Sequence, residues 1–143
     1  MGETPGRPAL WVHPAPDTHT DMEARAKRKY LRISPRKMRI VADVVRGKNA
    51  QRAIDTLEFM PQKAAKMVRR AIQDAYGNLI DQNQDERIDD DRLIVKTIMV
   101  DQAPVLKRFQ PVSRGRAHPI LKRSSHLTVV VGTPDVEAEE VEA

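Results

Sequence analysis

Cysteine is absent from this 143-residue sequence. That excludes disulfides, thiol catalysis and thiolate metal centres, and it fits a reducing compartment. Aromatic residues make up only 3% of the chain, so any core must be aliphatic. No apolar run approaches the roughly 18 residues that a membrane span needs. The most telling absence is of acid. Between Asp101 and Asp135 lie 33 positions without one Asp or Glu, and they hold Lys107, Arg108, Arg114, Arg116, Lys122 and Arg123. Such a run cannot build a packed core alone and reads as an arm shaped for a polyanion, most simply nucleic-acid backbone.

The formal net charge of +5 understates this bias because acids gather at the two ends. Residues 1–22 carry one base and three acids, and 135–143 carry five acids. Setting both aside leaves 24 Lys and Arg against 12 Asp and Glu over 112 residues. That balance belongs to nucleic-acid binders. Residues 1–22, with Pro5, Pro8, Pro14 and Pro16 and no cationic start leading into an apolar stretch, read as a disordered extension rather than a signal peptide. Met22, at the composition break, is a candidate true start. Residues 133–143 read as an acidic disordered tail, and 23–132 as one domain.

Within that domain, residues 24–33 end in an apolar alternation, Leu31 and Ile33, and read as an edge strand. Ser34 before Pro35 is the order of an N-cap and first helical residue, Met38, Val41, Val44 and Val45 keep helical spacing, and Gly47 closes the turn. A second helix starts at the cap residue Asn49 and stops before Pro61. Pro61 is expected to open the longest helix, with Ala64, Val68, Ala71, Ile72, Ala75 and Leu79 on one face and Lys63, Lys66 and Arg70 on another. Residues 81–91 read as a solvated connection. Strands are expected at 92–100 and 127–131, with one face of the first formed by Leu93, Val95, Thr97 and Met99. The fold class is α+β: three helices packed on a three-stranded antiparallel sheet, with a long protruding β-hairpin.

The joining segment, 101–125, far exceeds a usual hairpin loop of about 2 to 5 residues. If both limbs stay extended at about 3.3 Å per residue, the tip projects on the order of 40 Å. Lys107 with Arg108, and Lys122 with Arg123, sit on opposite limbs, so strand alternation sends one base of each pair to each face. Gly115 between Arg114 and Arg116 supplies a turn at the tip. A ribbon basic on both faces suits burial inside folded RNA. The alternative reading is a solvated loop whose charges maintain solubility.

Residues 24–48 repeat the theme with ten bases and one acid, Asp43. Arg36 and Lys37 fall in the first turn of a helix, where the macrodipole disfavours cations unless anions lie nearby. Phosphate is one such anion, and an ordinary solvated helix start is the other reading.

Three stretches carry a family resemblance: TyrLeuArgIleSerProArgLysMetArg at 30–39, ValArgGlyLys at 45–48, and LeuLysArgPheGlnProValSerArgGlyArgAla at 106–117 followed by LysArgSerSerHisLeuThrValValVal at 122–131. In order and register, they resemble the bacterial large-subunit ribosomal protein L twenty-two family. The resemblance implies an α+β domain on the outer surface of the large subunit and a β-hairpin threading ribosomal RNA to the wall of the peptide exit tunnel, near where macrolides bind. It also implies a structural, non-enzymatic role in subunit assembly as a monomer within the cytoplasmic ribosome; no cofactor or metal is expected, and no membrane partner. The implied partners are large-subunit ribosomal RNA, neighbouring ribosomal proteins and the nascent polypeptide.

By the same resemblance, Arg36, Lys37, Arg39 and Lys48 match RNA-facing positions of the domain. Lys107, Arg108, Arg114, Arg116, Lys122, Arg123 and His126 match RNA contacts of the hairpin. The tip, Pro111, Val112, Ser113, Arg114, Gly115, Arg116 and Ala117, would face the tunnel. Val112 stands where the family often has arginine, so one expected charge is missing. Gln102 and Ala103 replace a common Glu-Gly pair.

Other classes leave weaker marks. Helices around Gly47 and Pro61 could mimic a DNA-binding helix-turn-helix, but Arg, Asn and Gln are scattered rather than gathered on one helix. An RNA-processing enzyme would need a catalytic constellation. Ser124, Ser125, His126 and Asp101 supply triad atom types without a triad signature, Asp89, Asp90 and Asp91 suit a solvated turn as well as a metal, and the histidines at 13, 19, 118 and 126 lack ligand spacing.

Overall fold

Small apolar residues alternating with bases in Ala24-Arg25-Ala26-Lys27 produce a strand with one buried and one solvent-facing side, β1 (Glu23–Leu31). The structure, a computed structural model, describes residues 22–83, 88 and 90–134, so residues 1–21 with His13 and His19, Asp89, and residues 135–143 lie outside the described residues. Three helices follow: α1 (Pro35–Val45), α2 (Ala50–Phe59) and α3 (Lys63–Gln82). A short 3-10 turn at Asp90–Arg92 leads into β2 (Ile94–Val112) and β3 (Arg116–Gly132). The sheet is antiparallel in the order β1-β3-β2. This is the expected α+β arrangement, with the long hairpin made by β2 and β3 themselves.

Local chemistry explains the helix boundaries. Pro35 occupies the first position of α1 behind Ser34. Asn49 caps α2, its side-chain oxygen accepting from the backbone N–H of Gln51 at 2.9 Å and of Arg52 at 3.2 Å. Pro61 does not open α3, which begins two residues later with Gln62 as its cap residue. The other end of α3 runs through Gln82, into the segment expected to be a solvated connection. Tyr76 of α3 donates its hydroxyl to Asp90 at 2.6 Å, and this bond, then burial, raises the phenol pKa above its ordinary value.

The predicted α3 stripe is buried as a unit, with Val68, Ala71, Ile72, Ala75 and Leu79 all at 0% exposure. Alanine in that stripe allows α3 to lie close to β1 and β3. Facing it, the central strand buries Leu127, Val129 and Val131 completely.

The face assignment of β2 needs correction. Leu93 and Val95 point into the core as expected, but Ile98 and Val100 follow them inward while Thr97 and Met99 face out. A β-bulge between Val95 and Thr97 adds one residue to β2 and reverses the alternation. The inserted residue, Lys96, reaches across β3 to Glu23 at 2.6 Å. Further bulges occur in β2 between Ala103 and Leu106 and in β1 between Arg28 and Leu31. All three shifts fall in the flanking strands, and the alternation of β3 is uninterrupted.

The outer edge of β2 is closed rather than left as an open template. The α1–α2 connection lies along it, Gly47 N–H donating to the Val95 carbonyl, Val95 N–H to Lys48, and Ala50 N–H to Leu93, at 2.8–3.0 Å. Gly47 adopts φ +71 to turn the chain there. Beyond this connection Arg46 Nη2 donates to the Ile98 carbonyl at 3.4 Å, and Arg39 donates to that of Val100 through Nε at 3.3 Å and Nη2 at 3.0 Å. Such closure guards against edge-to-edge association.

Because the core lies between the helices and the sheet, shortening the ribbon should spare it. Replacing residues 106–122 with a two-residue turn is expected to change the melting temperature by no more than a few degrees. Leu127→Ala in the anchored part of β3 should cost about 2–5 kcal/mol, read by chemical denaturation.

Candidate nucleic-acid interface

Ala103 and Ser124 form the last buried pair before the ribbon leaves the domain, with the Ser124 hydroxyl donating to the Pro104 carbonyl at 2.9 Å. From there the ladder continues unbroken from Leu106↔Lys122 to Val112↔Arg116. The 101–125 segment is therefore an ordered two-stranded ribbon over its length, not a loose loop. Arg114 and Gly115 form the turn with φ +62 and +67. Within the three-residue loop closed by the Val112↔Arg116 pair, both values lie in the left-handed region. Glycine takes it without penalty, whereas arginine carries a cost of roughly 1–2 kcal/mol.

Register sorts the side chains into two unlike faces. Arg108, Gln110, His118, Arg116 and Lys122 share the outer face with Leu106, Ile120 and Val112. The face continuous with the helix side carries Lys107, Phe109, Pro111, Ala117, Pro119 and Leu121, with Arg123 beside them on β3. Each LysArg pair is divided between the faces, as the alternation predicted. Beyond Lys107 the second face is nevertheless apolar, with Phe109 75% exposed, and Leu121, opposite Lys107, is 47% exposed. Within the described residues no acid lies on the ribbon beyond Asp101.

The predicted site residues of the globular part separate into two groups. Arg36, Lys37 and Lys48 are exposed. Arg39, although exposed over part of its side chain, is engaged with the Val100 carbonyl on the β2 edge. In the same block Arg28 pairs with Asp74 of α3 at 2.6 Å, and Arg46 with Asp43 at 3.2 Å. His126 likewise has an internal partner. Its Nδ1 accepts from the backbone N–H of Tyr30 at 3.0 Å, and the two rings meet edge to face at 4.7 Å between centroids. Tyr30 sits at φ +55 in the β1 bulge, so His126 stabilises an unusual backbone conformation.

The sequence counts Arg32 in the basic block 24–48 without singling it out as a site residue, and places Lys63, Lys66 and Arg70 on a basic helix face without a role. In the structure Lys63, Lys66 and Arg70 of α3 line a depression of about 260 Å³ with Arg28 and Leu31. Arg32 and Lys63 also line a larger groove with Lys122 and Arg123 at the root of the ribbon. The usable signal was the run of α3 bases at spacings of three and four, with no acid in the first turn of either α1 or α3.

Of the other constellations, Ser124 donates to the Pro104 carbonyl, His126 Nδ1 accepts from the Tyr30 N–H, and Asp89 lies outside the described residues. Asp90 receives Tyr76, and the Asp91 carbonyl accepts from Asn49 Nδ2 at 2.7 Å. Among the described residues, no cluster of three or more His, Cys, Asp or Glu could hold a metal ion, and no helix is long and apolar enough to cross a membrane. The α1–α2 connection is bonded into the sheet edge by the Gly47, Lys48 and Ala50 backbone.

The ribbon's chemistry is that of a phosphate binder with apolar rungs. Arginine forks give bidentate, charge-assisted bonds to phosphate oxygens, and lysine supplies point charges. Arg116→Ala and Lys122→Ala should leave stability within about 0.5 kcal/mol, as exposed sites do. Arg39→Ala should cost about 1 kcal/mol by stripping the Val100 carbonyl of its donors. Thermal melts of the three variants in parallel distinguish interface bases from architectural ones.

Comparison with known proteins places this geometry. The family model described as "Ribosomal protein L22p/L17e" matches residues 26–132. The chain is 52% identical over 110 residues to "Large ribosomal subunit protein uL22" of Desulfotalea psychrophila, covering 77% of this chain and 97% of that protein. It is 51% identical to the protein of the same name from Syntrophotalea carbinolica over the same shares. For the one from Herpetosiphon aurantiacus, identity is 50% over 115 residues, covering 80% of this chain and 99% of the relative.

Proposed function

The chain belongs to the ribosomal protein L22p/L17e family, and from that premise we propose that its ribbon is an RNA-threading arm and its globular part the mount that docks the arm. It is a structural, non-enzymatic constituent of the large subunit of the cytoplasmic ribosome, acting among ribosomal RNA and neighbouring ribosomal proteins. The observation that carries the finer reading is the ribbon itself: an ordered ladder, acid-free beyond Asp101, rooted in the buried sheet.

In this reading Lys107, Arg108, Arg114, Arg116, Lys122 and Arg123 neutralise phosphates of separate RNA segments closing around the ribbon. Arg36, Lys37 and Lys48 dock the domain on the subunit surface. The internal engagements of Arg39 and His126 favour architectural roles for both. Pro111–Ala117, at the farthest point from the core, reach the wall of the exit tunnel and border the nascent polypeptide. Val112 leaves that tip one charge poorer than an arginine would.

Six phosphate contacts predict a definite salt response. The ribbon's six contacts alone contribute a log-log salt slope of roughly −4 to −5 to affinity for large-subunit ribosomal RNA, docking bases steepen it, and each Lys or Arg replaced by Gln should flatten it by about 0.7–0.9. In lysates the protein should sediment with the large subunit through moderate salt washing. Recovery only in the soluble fraction would refute the reading.

A further inference from the structure

Where the ribbon joins the domain, a groove of about 670 Å³ opens between the N-termini of α1 and α3, the β1–α1 junction and residues 121–123 of β3. Five basic residues line it, Arg32, Lys37, Lys63, Arg123 and, at the ribbon's edge, Lys122, whose side chain the register sends toward the outer face; no acid does. None of the five forms an ion pair with a described residue. Its floor is apolar. Ile33, Val41 and Ala64 lie at the bottom, and Ile40, 64% exposed, and Leu121, 47% exposed, rise beside them.

Two further observations specify what fits there. Both helices that end at the groove lack a side-chain cap and lack acid in the first turn, so their N-terminal N–H groups and positive dipole ends have no internal anion. Ser34, the α1 cap residue, lines the groove without spending its hydroxyl on its own helix. The second observation is that Leu121 lies on the same ribbon face as Pro119 and Phe109, so the apolar floor continues outward along the arm.

We propose that this groove is a binding site for an unpaired nucleotide of ribosomal RNA, its base against Ile40 and Leu121 and its phosphates at the cationic rim. The inference rests on the ribosomal reading above and adds to it a pocket that takes a base. An unpaired nucleotide joins an apolar, stackable face to an anion in one unit, which is the combination the groove presents. A protein segment would need an apolar anchor flanked by several acids to match five cations. The amide of Gln62, at the groove edge, can donate to or accept from a base edge.

The test uses the full chain with its own large-subunit ribosomal RNA, transcribed with 4-thiouridine, and the uncharged variants Ile40→Ser and Leu121→Ser. Both positions are exposed, so circular dichroism and melting should match the parent. On irradiation, nucleotide adducts are expected on peptides spanning 32–41 or 120–123. Each variant should lose roughly three- to tenfold in affinity, the scale of burying about half of an aliphatic side chain, with the salt slope unchanged. Lys63→Gln should instead flatten the slope by about 0.7–0.9. Parent affinity in both serine variants, with adducts confined to residues 106–119, would overturn the groove site and leave the arm reading intact. Cross-links from the groove to a neighbouring protein in native subunits would overturn it in favour of a protein occupant. No RNA binding by the parent would remove the ribosomal reading itself.

Discussion

A two-stranded ribbon of like charges that buries neither of its faces repels itself, so it can project only if something else holds its strands together. In this protein that something is β3, a strand of 17 residues whose inner part is clamped between two partners and a helix layer. Leu127, Val129 and Val131 are fully buried against the helices, and the same strand continues without a break to Arg116 at the turn. The arm is thus an extension of the core rather than an attachment to it. The helices matter because they cover one face of the sheet with the alanine-lined stripe of α3. Two acids of the helices take up bases, Asp74 meeting Arg28 of β1 and Glu58 meeting Arg69, while the ribbon's own cations have no acid among them.

The sheet's other exposure, the edge of β2, is closed by bases with architectural duties. Arg39 and Arg46 spend guanidinium donors on the Val100 and Ile98 carbonyls. The α1–α2 connection completes the closure with backbone bonds. Cations in this chain therefore have two occupations, and composition alone does not separate them. An arginine beside a strand edge and an arginine on an arm look alike until the edge is known.

This explains what could be read beforehand. Helix periodicity was legible because α1, α2 and α3 each bury one stripe, and Ser34-Pro35 and Asn49 mark their starts by side-chain chemistry. The arm was legible from the absence of acid and from the register of its motifs. The reversal of faces at Lys96 was not, since a bulge changes pairing without leaving a required residue type. Nor was the start of α3, where Pro61 precedes the cap residue instead of following it. The interior employment of Arg39 and His126 depends on partners 61 and 96 residues away, a separation that no local pattern reports. The groove is similarly non-local, assembled from residues around 32, 40, 63 and 121.

The uninterrupted alternation of β3 also limits how the gene can change length. Every bulge lies in a neighbouring strand, so side-chain direction along β3 is counted off by parity from the buried Leu127 to the exposed Arg116. Loss or gain of a single codon between them would exchange the two faces of everything beyond it, turning cationic rungs to where Phe109 and Leu121 now point. Length changes that preserve the arm must come in twos on β3 and be matched on β2. The reach of the arm is accordingly a quantised trait, adjustable in steps of about 6–7 Å, two residues at a time.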